Sequence, residues 1–296
     1  MKKIGFVGLG DMGLAMSGNI LNAGFELTGF DLREERLALI EQAGGKRAAS
    51  CAALAESSDS IFVMVLNGNQ VRAVVLGDNG LIHGLKPGST IIISATISPG
   101  DVKGLEEPLA AKGIHLIDTP VSGGLSGAEG GSLTLMTAAK SDVLEANRDV
   151  LDSVSKVIHH VGEDIGMGQT VKASLQAMIG SVFAAIFESL VLGSKAGVKG
   201  ETLYNVISSS GVGCGLFDNC AKLIMERKFK GTGSQITTMY KDLGISMAMA
   251  RDNGVPMHMA STAYEMFQSG ISMFPEEDNW SIVKLLEQIS DTEVKW

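Results

Sequence analysis

The chain has 296 residues, a net charge of −9 and 45% hydrophobic residues, of which few are aromatic. That length exceeds a usual single domain and predicts two, while the acidity and the lack of any basic run exclude a nucleic-acid footprint. Cys51, Cys214 and Cys220 show no paired-ligand spacing, which argues against a disulfide framework or a structural zinc site and for a reducing, cytoplasmic compartment.

The N-terminal Met-Lys-Lys and its apolar continuation mimic a signal peptide, but glycines and Asp11 interrupt any h-region and no A-x-A site follows. Lys3–Val7 reads instead as a buried parallel strand. It runs into Gly8, Gly10 and Gly13, a G-x-G-x-x-G spacing, and residues 14–21 read as a helix. In that setting Gly8 allows a tight turn, Gly10 lets a pyrophosphate approach the backbone, and Gly13 lets the helix pack close to the strand. The helix N-terminus faces the phosphates with free N–H groups and a positive dipole end. Residues 25–30 form a second strand ending in Asp31, near the offset of about 20 residues expected for a carboxylate on a ribose 2′-OH. A carboxylate there accepts from a free diol and repels a 2′-phosphate, so NAD is expected over NADP, although Arg33 and Arg36 lie nearby.

Further along, residues 33–43 and 51–56 read as helices, 60–66 (SIFVMVL) as a central strand, and 70–76 as a helix. Residues 90–94 (TIIIS) are again a buried strand, followed by a helix from Pro99 to Lys112 and a strand over 114–118. Strands alternating with helices predict a parallel, doubly wound sheet. Residues 132–136 and 156–160 are the last strands; from Gly166 every long segment is helical, so the boundary is placed between 1–164 and 165–296. The stretch 173–193 is nearly long enough to span a bilayer, but it carries Gln176, Ser181, Glu188 and Ser189 and reads as a helix buried between domains.

Ligands of a doubly wound sheet sit outside the carboxyl ends of its strands. The loops 8–13, 31–33 and 66–69 would surround pyrophosphate and adenosine. Thr96 would lie nearer the nicotinamide, or would simply start a helix, where threonine is favoured. In Asp118–Gly124 (DTPVSGG), Ser122 offers a hydroxyl and Gly123 and Gly124 offer N–H groups, a carboxylate cradle or else a tight turn without ligand. Lys172 stands in an otherwise apolar helix with Gln176 one turn on. It is an acid or base with a lowered pKa, or a lysine snorkelling to solvent. Lys241 passes for a surface charge. The five histidines form no ligand spacing, so no metal is expected; in His159–His160, on a strand, one side chain should face in and one out.

These residues resemble the β-hydroxyacid dehydrogenases, which include 3-hydroxyisobutyrate dehydrogenase, tartronate semialdehyde reductase and sugar-acid relatives. Phe6–Gly13 is similar to the family's F-x-G-L-G-x-M-G. Asp118–Gly124 with Ala128, Gly130 and Leu133 is similar to D-A-P-V-S-G-G-x-x-x-A-x-x-G-x-L, Gly166-Met167-Gly168 with Lys172 to G-x-G-x-x-x-K, and Lys241-Asp242-Leu243 to K-D-L. The stretches 65–71, 77–88 and 260–263 look most like the four-carbon sugar-acid branch, with a substrate such as L-threonate. Where many members carry Asn after the lysine, this chain has Leu175, which sits better with that branch than with a C3 substrate. The resemblance implies a Rossmann-type doubly wound domain followed by an all-α domain joined through a long helix. It implies Lys172 as the proton-transfer residue, Ser122, Gly123 and Gly124 on the substrate carboxylate and Gln176 on a hydroxyl. It implies Gly8, Leu9, Gly10, Asp11, Met12, Gly13, Asp31, Leu66, Asn67, Thr96 and Lys241 around NAD, and a homodimer or homotetramer. The alternative within the family is a 3-hydroxyisobutyrate dehydrogenase, a semialdehyde reductase or a phenylserine-type dehydrogenase.

Overall fold

A computed structural model of the chain describes residues 2–296. The chain forms two compact units, Met1–Lys172 and Ala173–Trp296. The first unit alternates strands and helices: β1 (Lys3–Val7), α1 (Asp11–Asn22), β2 (Glu26–Phe30), α2 (Glu34–Gln42), β3 (Lys46–Arg47), α3 (Cys51–Glu56), β4 (Ser60–Val63) and α4 (Gly68–Leu76). It continues with β5 (Thr90–Ile93), α5 (Pro99–Lys103), α6 (Glu106–Ala110), β6 (His115–Asp118), β7 (Val121–Ser122), α7 (Gly124–Glu129), β8 (Leu133–Ala138), α8 (Ser141–Ala146), α9 (Arg148–Asp152) and β9 (Ser155–Gly162).

The sheet runs β3-β2-β1-β4-β5-β6-β8, with β7 and β9 also on β8. From β3 to β6 every pairing is parallel, and the order reverses between β1 and β4. At the far side the expectation of a parallel sheet needs correction, because β8 runs antiparallel to β6 and β7. Asp118↔Ala138, Val121↔Leu135 and Ser122↔Thr134 share one unshifted register, so β6 and β7 are one strand interrupted at Thr119-Pro120. Pro120 has no N–H for the ladder, though its carbonyl still accepts from Met136 N at 3.1 Å.

Alternation along the central strands builds two cores, one on each face of the sheet. Ile61, Val63, Ile91 and Ile93 pack with α3, α4 and α5 on one face; Phe62 and Ile92 join Phe6, Ile117 and helices α1 and α2 on the other. Both faces are covered, which is why SIFV and TIII are apolar without a polar side. The helix expected over 99–112 is two short helices. The break falls at Gly104-Leu105; Pro108, in the first turn of the second helix, has no N–H to give the Gly104 carbonyl one turn back. The pair His159–His160 also departs from expectation: β9 is an edge strand and both residues are exposed, His160 Nε2 lying 2.9 Å from Ala139 O.

The second unit is helical. α10 (Met167–Lys195) starts in the first unit and runs on through the second, followed by α11 (Gly200–Ser208), α12 (Gly215–Met225), α13 (Ile236–Asp252), α14 (His258–Met273) and α15 (Val283–Ser290). Phe183, Phe187 and Leu190 of α10 form its core with Phe217 and Cys220 of α12, Met239 and Leu243 of α13, Phe267 of α14 and Trp280. At Gly180 a Cβ would stand 2.7 Å from Leu243 Cδ2, so the missing side chain sets how closely α10 and α13 pack. By length and composition α10 is long and apolar enough to cross a membrane, but 44% of its most apolar window is buried within the protein. Its other face exposes Met178 and Leu192.

Candidate active site

Three glycines shape the turn after β1, for three different reasons. Gly8 has φ +92°, and a Cβ there would stand 2.3 Å from Met64 O. At Gly13 a Cβ would meet Gly8 O at 1.9 Å, which seats α1 against the end of β1. Gly10 is different: it has an ordinary φ of −64°, and the nearest atom to a Cβ would be Arg33 Nη2 at 4.0 Å. The protein does not require a glycine at that position, whereas a ligand approaching the backbone does. No side chain among the described residues caps α1, whose first-turn N–H groups stand at this opening. The fit to a dinucleotide pyrophosphate is therefore good. Asp11, in the same turn, is exposed and paired with Arg36 at 3.0 Å; Met12 and Leu9 pack into the core on the α1 face.

Asp31, at the end of β2, is more committed than its sequence position suggests. Oδ2 accepts from Leu9 N at 2.8 Å and Arg33 Nη2 at 3.2 Å, and Oδ1 accepts from Arg33 N and Arg33 Nε, both at 3.0 Å. A carboxylate offers about four acceptor sites, so a ribose diol must displace the exposed Arg33 side chain to reach it. Burial alone pushes this carboxyl up, but the Arg33 side chain, the N–H groups of Arg33 and Leu9 and the Arg33 charge together hold it below the usual range.

The loop after β4 is held by its own caps. Asn67 Oδ1 accepts from Gln70 N at 2.9 Å, and Leu66 N donates to Gln70 Oε1 at 2.8 Å. Leu66 is 67% exposed, an apolar side chain on the rim of the strand ends. After β5, Ser98 rather than Thr96 caps the next helix, accepting from Asp101 N at 3.1 Å. Thr96 is thus relieved of the helix-start role and sits half-buried before it.

After β6 lies a group that sequence reasoning passed over. Asp118 is fully buried. Its Oδ2 accepts from Gly166 N at 3.0 Å and Gln169 N at 3.2 Å, and its Oδ1 accepts from Gln169 Nε2 at 2.9 Å. Burial pushes this carboxyl up to about 6, against hydrogen bonds from Gln169, Gly166 and Gly168. It receives the start of α10 on the sheet. Gly166 has φ +99°, and at Gly168 a Cβ would meet Met136 O at 2.5 Å and Asp118 O at 2.8 Å. The G-x-G of the G-x-G-x-x-x-K motif is therefore a docking element that fixes where the lysine emerges. Farther along the same loop, Gly123 and Gly124 have φ of +134° and +63° and are exposed beside half-buried Ser122.

Gln169, Lys172 and Gln176 follow at spacings of three and four, one stripe on α10, and are only 1%, 7% and 8% exposed. A lysine that buried is not snorkelling. In the helical unit Gln176 Nε2 donates to Asp242 Oδ2 at 2.6 Å, and Lys241 Nζ lies 2.9 Å from Asp242 Oδ1. The structure thus places the predicted residues of the first unit at the carboxyl ends of β1, β2, β4, β5 and β6 and in the first turns of α10. Gln176 and Lys241 meet separately, through Asp242. The signal for Gln169 was present in the sequence, a third polar residue on the Lys172–Gln176 stripe. Asp118 gave none beyond its place at a strand end.

Comparison with known proteins decides the family. Residues 3–162 match the family model of the NAD-binding domain of 6-phosphogluconate dehydrogenase, and residues 166–286 match that of NADP-dependent 3-hydroxyisobutyrate dehydrogenase. The chain belongs to the 3-hydroxyisobutyrate dehydrogenase family. Its relatives include 2-(hydroxymethyl)glutarate dehydrogenase of Eubacterium barkeri, 36% identical over 99% of this chain and 97% of that one. L-Threonate dehydrogenase of Cupriavidus necator is 33% identical over 97% of each chain. Among solved structures, 3-hydroxyisobutyrate dehydrogenase from Salmonella typhimurium superposes with a TM-score of 0.88 at 30% identity, covering 96% of this chain and all of that one. As a member of this family the chain is an NAD-dependent oxidoreductase acting on the CH–OH group of a small hydroxy acid.

Proposed function

We propose that the chain oxidises a four-carbon sugar acid such as L-threonate, with Lys172 as the general acid and base. The observation that carries the role of Lys172 is its burial on a polar stripe of an apolar helix, since an ammonium is put in such a place at a cost. NAD, when bound, accepts the hydride. The chain has to take the hydroxyl proton, and Lys172 Nζ in its neutral form accepts it; in the reducing direction the ammonium returns it to the carbonyl oxygen. Ser122 Oγ and the N–H groups of Gly123 and Gly124 hold the substrate carboxylate. Gln176, whose amide N–H₂ end is taken by Asp242, presents its carbonyl oxygen to a substrate hydroxyl. Gly8, Leu9, Gly10, Asp11, Met12, Gly13, Asp31, Leu66, Asn67, Thr96 and Lys241 surround NAD, with Asp31 disfavouring a 2′-phosphate.

Residues 1–164 serve as the NAD-binding domain and 165–296 as the substrate and oligomerisation domain of a cytoplasmic homodimer or homotetramer. The threonate reading is supported by several L-threonate dehydrogenases at 30–33% identity and by Leu175, an apolar residue that cannot hydrogen-bond a substrate from that position. The Eubacterium relative supports a second reading, a branched hydroxymethyl acid.

The test is a panel of threonate, erythronate, 3-hydroxyisobutyrate, 2-(hydroxymethyl)glutarate, glycerate and phenylserine with NAD, followed at 340 nm, for wild type and Lys172→Ala. General acid–base assistance is worth about 10²–10⁴-fold, so Lys172→Ala should lose on the order of 10²-fold or more in kcat with NAD affinity nearly intact. Lys172→Arg should not rescue it, since arginine cannot release the proton. Near-normal turnover of Lys172→Ala would sink the mechanism, and turnover of 3-hydroxyisobutyrate in preference to threonate would move the substrate to the other branch.

A further inference from the structure

The side-chain amide of Gln169 is held at both ends by the protein. Nε2 donates to Asp118 Oδ1 at 2.9 Å and to Ala95 O at 3.0 Å, and Oε1 accepts from Ile97 N at 3.0 Å. Ala95 and Ile97 bracket Thr96, so one side chain grips the β5 loop by the peptide groups on both sides of that residue. The same residue is in the first turn of α10, three positions before Lys172. Its backbone N–H is bonded to Asp118 as well. The two N–H donors fix which end of the amide is which, because a carboxylate and a carbonyl can only accept. Gly168 approaches Asp118 O and Met136 O so closely that no side chain would fit, so both backbone and side-chain contacts tie the first turn of α10 to the strand ends.

We infer that Gln169 is the positioning residue of the reaction, holding the Thr96 loop and the Lys172 turn in one fixed register. The inference rests on the proposed role of Lys172. Hydride and proton transfer both need their partners within a few tenths of an ångström, and a displacement of about 1 Å can cost 10²-fold in rate. A network tying the loop nearest the nicotinamide to the turn that carries the base therefore acts on kcat. It acts less on NAD affinity, because Thr96 is one of many residues around NAD and the pyrophosphate is held at Gly10 and the N-terminus of α1, away from this network.

Gln169→Glu keeps the length and the acceptor for Ile97 but puts a second carboxyl against buried Asp118. Two carboxyls so placed share one proton and ionise together only at a cost. At low pH the shared proton restores one donor. The expected result is kcat reduced about 10–100-fold at alkaline pH, an increased deuterium isotope effect on kcat, and recovery relative to wild type as pH falls. NAD affinity should change little. Gln169→Met, similar in volume but without hydrogen bonds, should show the same loss in kcat at every pH, which keeps the test open if one variant folds poorly. In a Lys172→Ala background either substitution should cost little more, because residues acting as a unit are non-additive.

Two folded Gln169 variants with wild-type kcat and isotope effect, beside an inactive Lys172→Ala, would overturn this inference alone. So would a loss that appears in NAD affinity with kcat unchanged. Near-normal turnover of Lys172→Ala would instead overturn the reading on which it rests.

Discussion

Alanine at each of the three glycines of the first loop should separate folding from cofactor binding. Gly10→Ala places a methyl 4.0 Å from its nearest neighbour at an ordinary φ of −64°. Without ligand the gain of about 0.4–1 kcal/mol from the smaller conformational freedom of alanine is offset by its poorer capping at this N-cap position, so stability should stay close to wild type. Gly8→Ala must adopt φ +92° and meets Met64 O at 2.3 Å. The left-handed conformation costs about 1–2 kcal/mol and the overpacking about 1–3 more. Gly13→Ala meets Gly8 O at 1.9 Å and belongs with Gly8→Ala. In the absence of NAD the order of Tm is therefore Gly10→Ala near wild type, with the other two several degrees below. NAD reverses the picture for Gly10→Ala, whose methyl stands where the pyrophosphate approaches. Losing one hydrogen bond to a charged group costs about 1.5–3 kcal/mol, so Kd should rise about 10–100-fold. Differential scanning without NAD and a calorimetric NAD titration measure the two quantities. A Gly10→Ala protein with wild-type NAD affinity, or one that melts with Gly8→Ala, would refute the assignment of this opening to the pyrophosphate.

Three further outcomes are expected. Asp31→Ser removes the repulsion of a 2′-phosphate and releases Arg33, so the ratio of kcat/KM for NADP over NAD should rise on the order of tenfold, one decade being about 1.4 kcal/mol; a wild type that already prefers NADP contradicts the assignment. Asp118 has its carboxyl raised to about 6 in the fold, against about 3.9 in the unfolded chain. Its contribution to stability is then full below about pH 4 and lost as pH rises through about 6. Asp118→Asn cannot ionise, so the Tm of wild type relative to this variant should fall across that window, and a constant difference would show that the carboxyl does not titrate there. Light scattering should find a homo-oligomer covering the exposed Met178 and Leu192 of α10; a strict monomer at micromolar concentration would count against it.

Much of the fold was legible because its signals are local. Buried central strands announce themselves as SIFV and TIII, and Gly8, Gly10 and Gly13 stand between a strand and a helix, the context that gives the spacing meaning. The antiparallel end of the sheet was not legible. Whether β8 pairs parallel or antiparallel depends on a crossover between β6 and β8 that carries α7, a helix of small residues indistinguishable in sequence from a loop. Pro108 in the first turn of α6 and Gly104 at the end of α5 bear on the break between the two helices, but the helix formers on either side mask it in the sequence. Among candidate site residues, Lys172 and Gln176 stand out in the sequence as polar residues in an apolar run, and Gln169 falls on the same stripe. Asp118 was hidden by its conventional position, since an acid at a strand end is ordinarily a surface feature. Only its burial and its three donors show that it faces α10. The state of Asp31 was also out of reach: sequence places the carboxylate but not the arginine already folded over it.

A buried lysine in the early turns of a helix has two physical objections to meet, desolvation of the ammonium and the positive end of the helix dipole. The second is weak here, because the dipole acts mainly within the first turn and Lys172 lies beyond it. Asp118 also places a carboxylate at that helix end, bonded to the N–H groups of Gly166 and Gln169. Burial pushes that carboxyl up to about 6, so its offset of the N-terminal charge weakens as pH falls. Desolvation remains as the cost of placing Lys172 where it is only 7% exposed. The docking of α10 by Gly166, Gly168 and Asp118 thus does two things with one set of contacts. It fixes the helix by backbone approach where no side chain would fit, and it sets a carboxyl against the N–H groups of the turn from which Lys172 emerges.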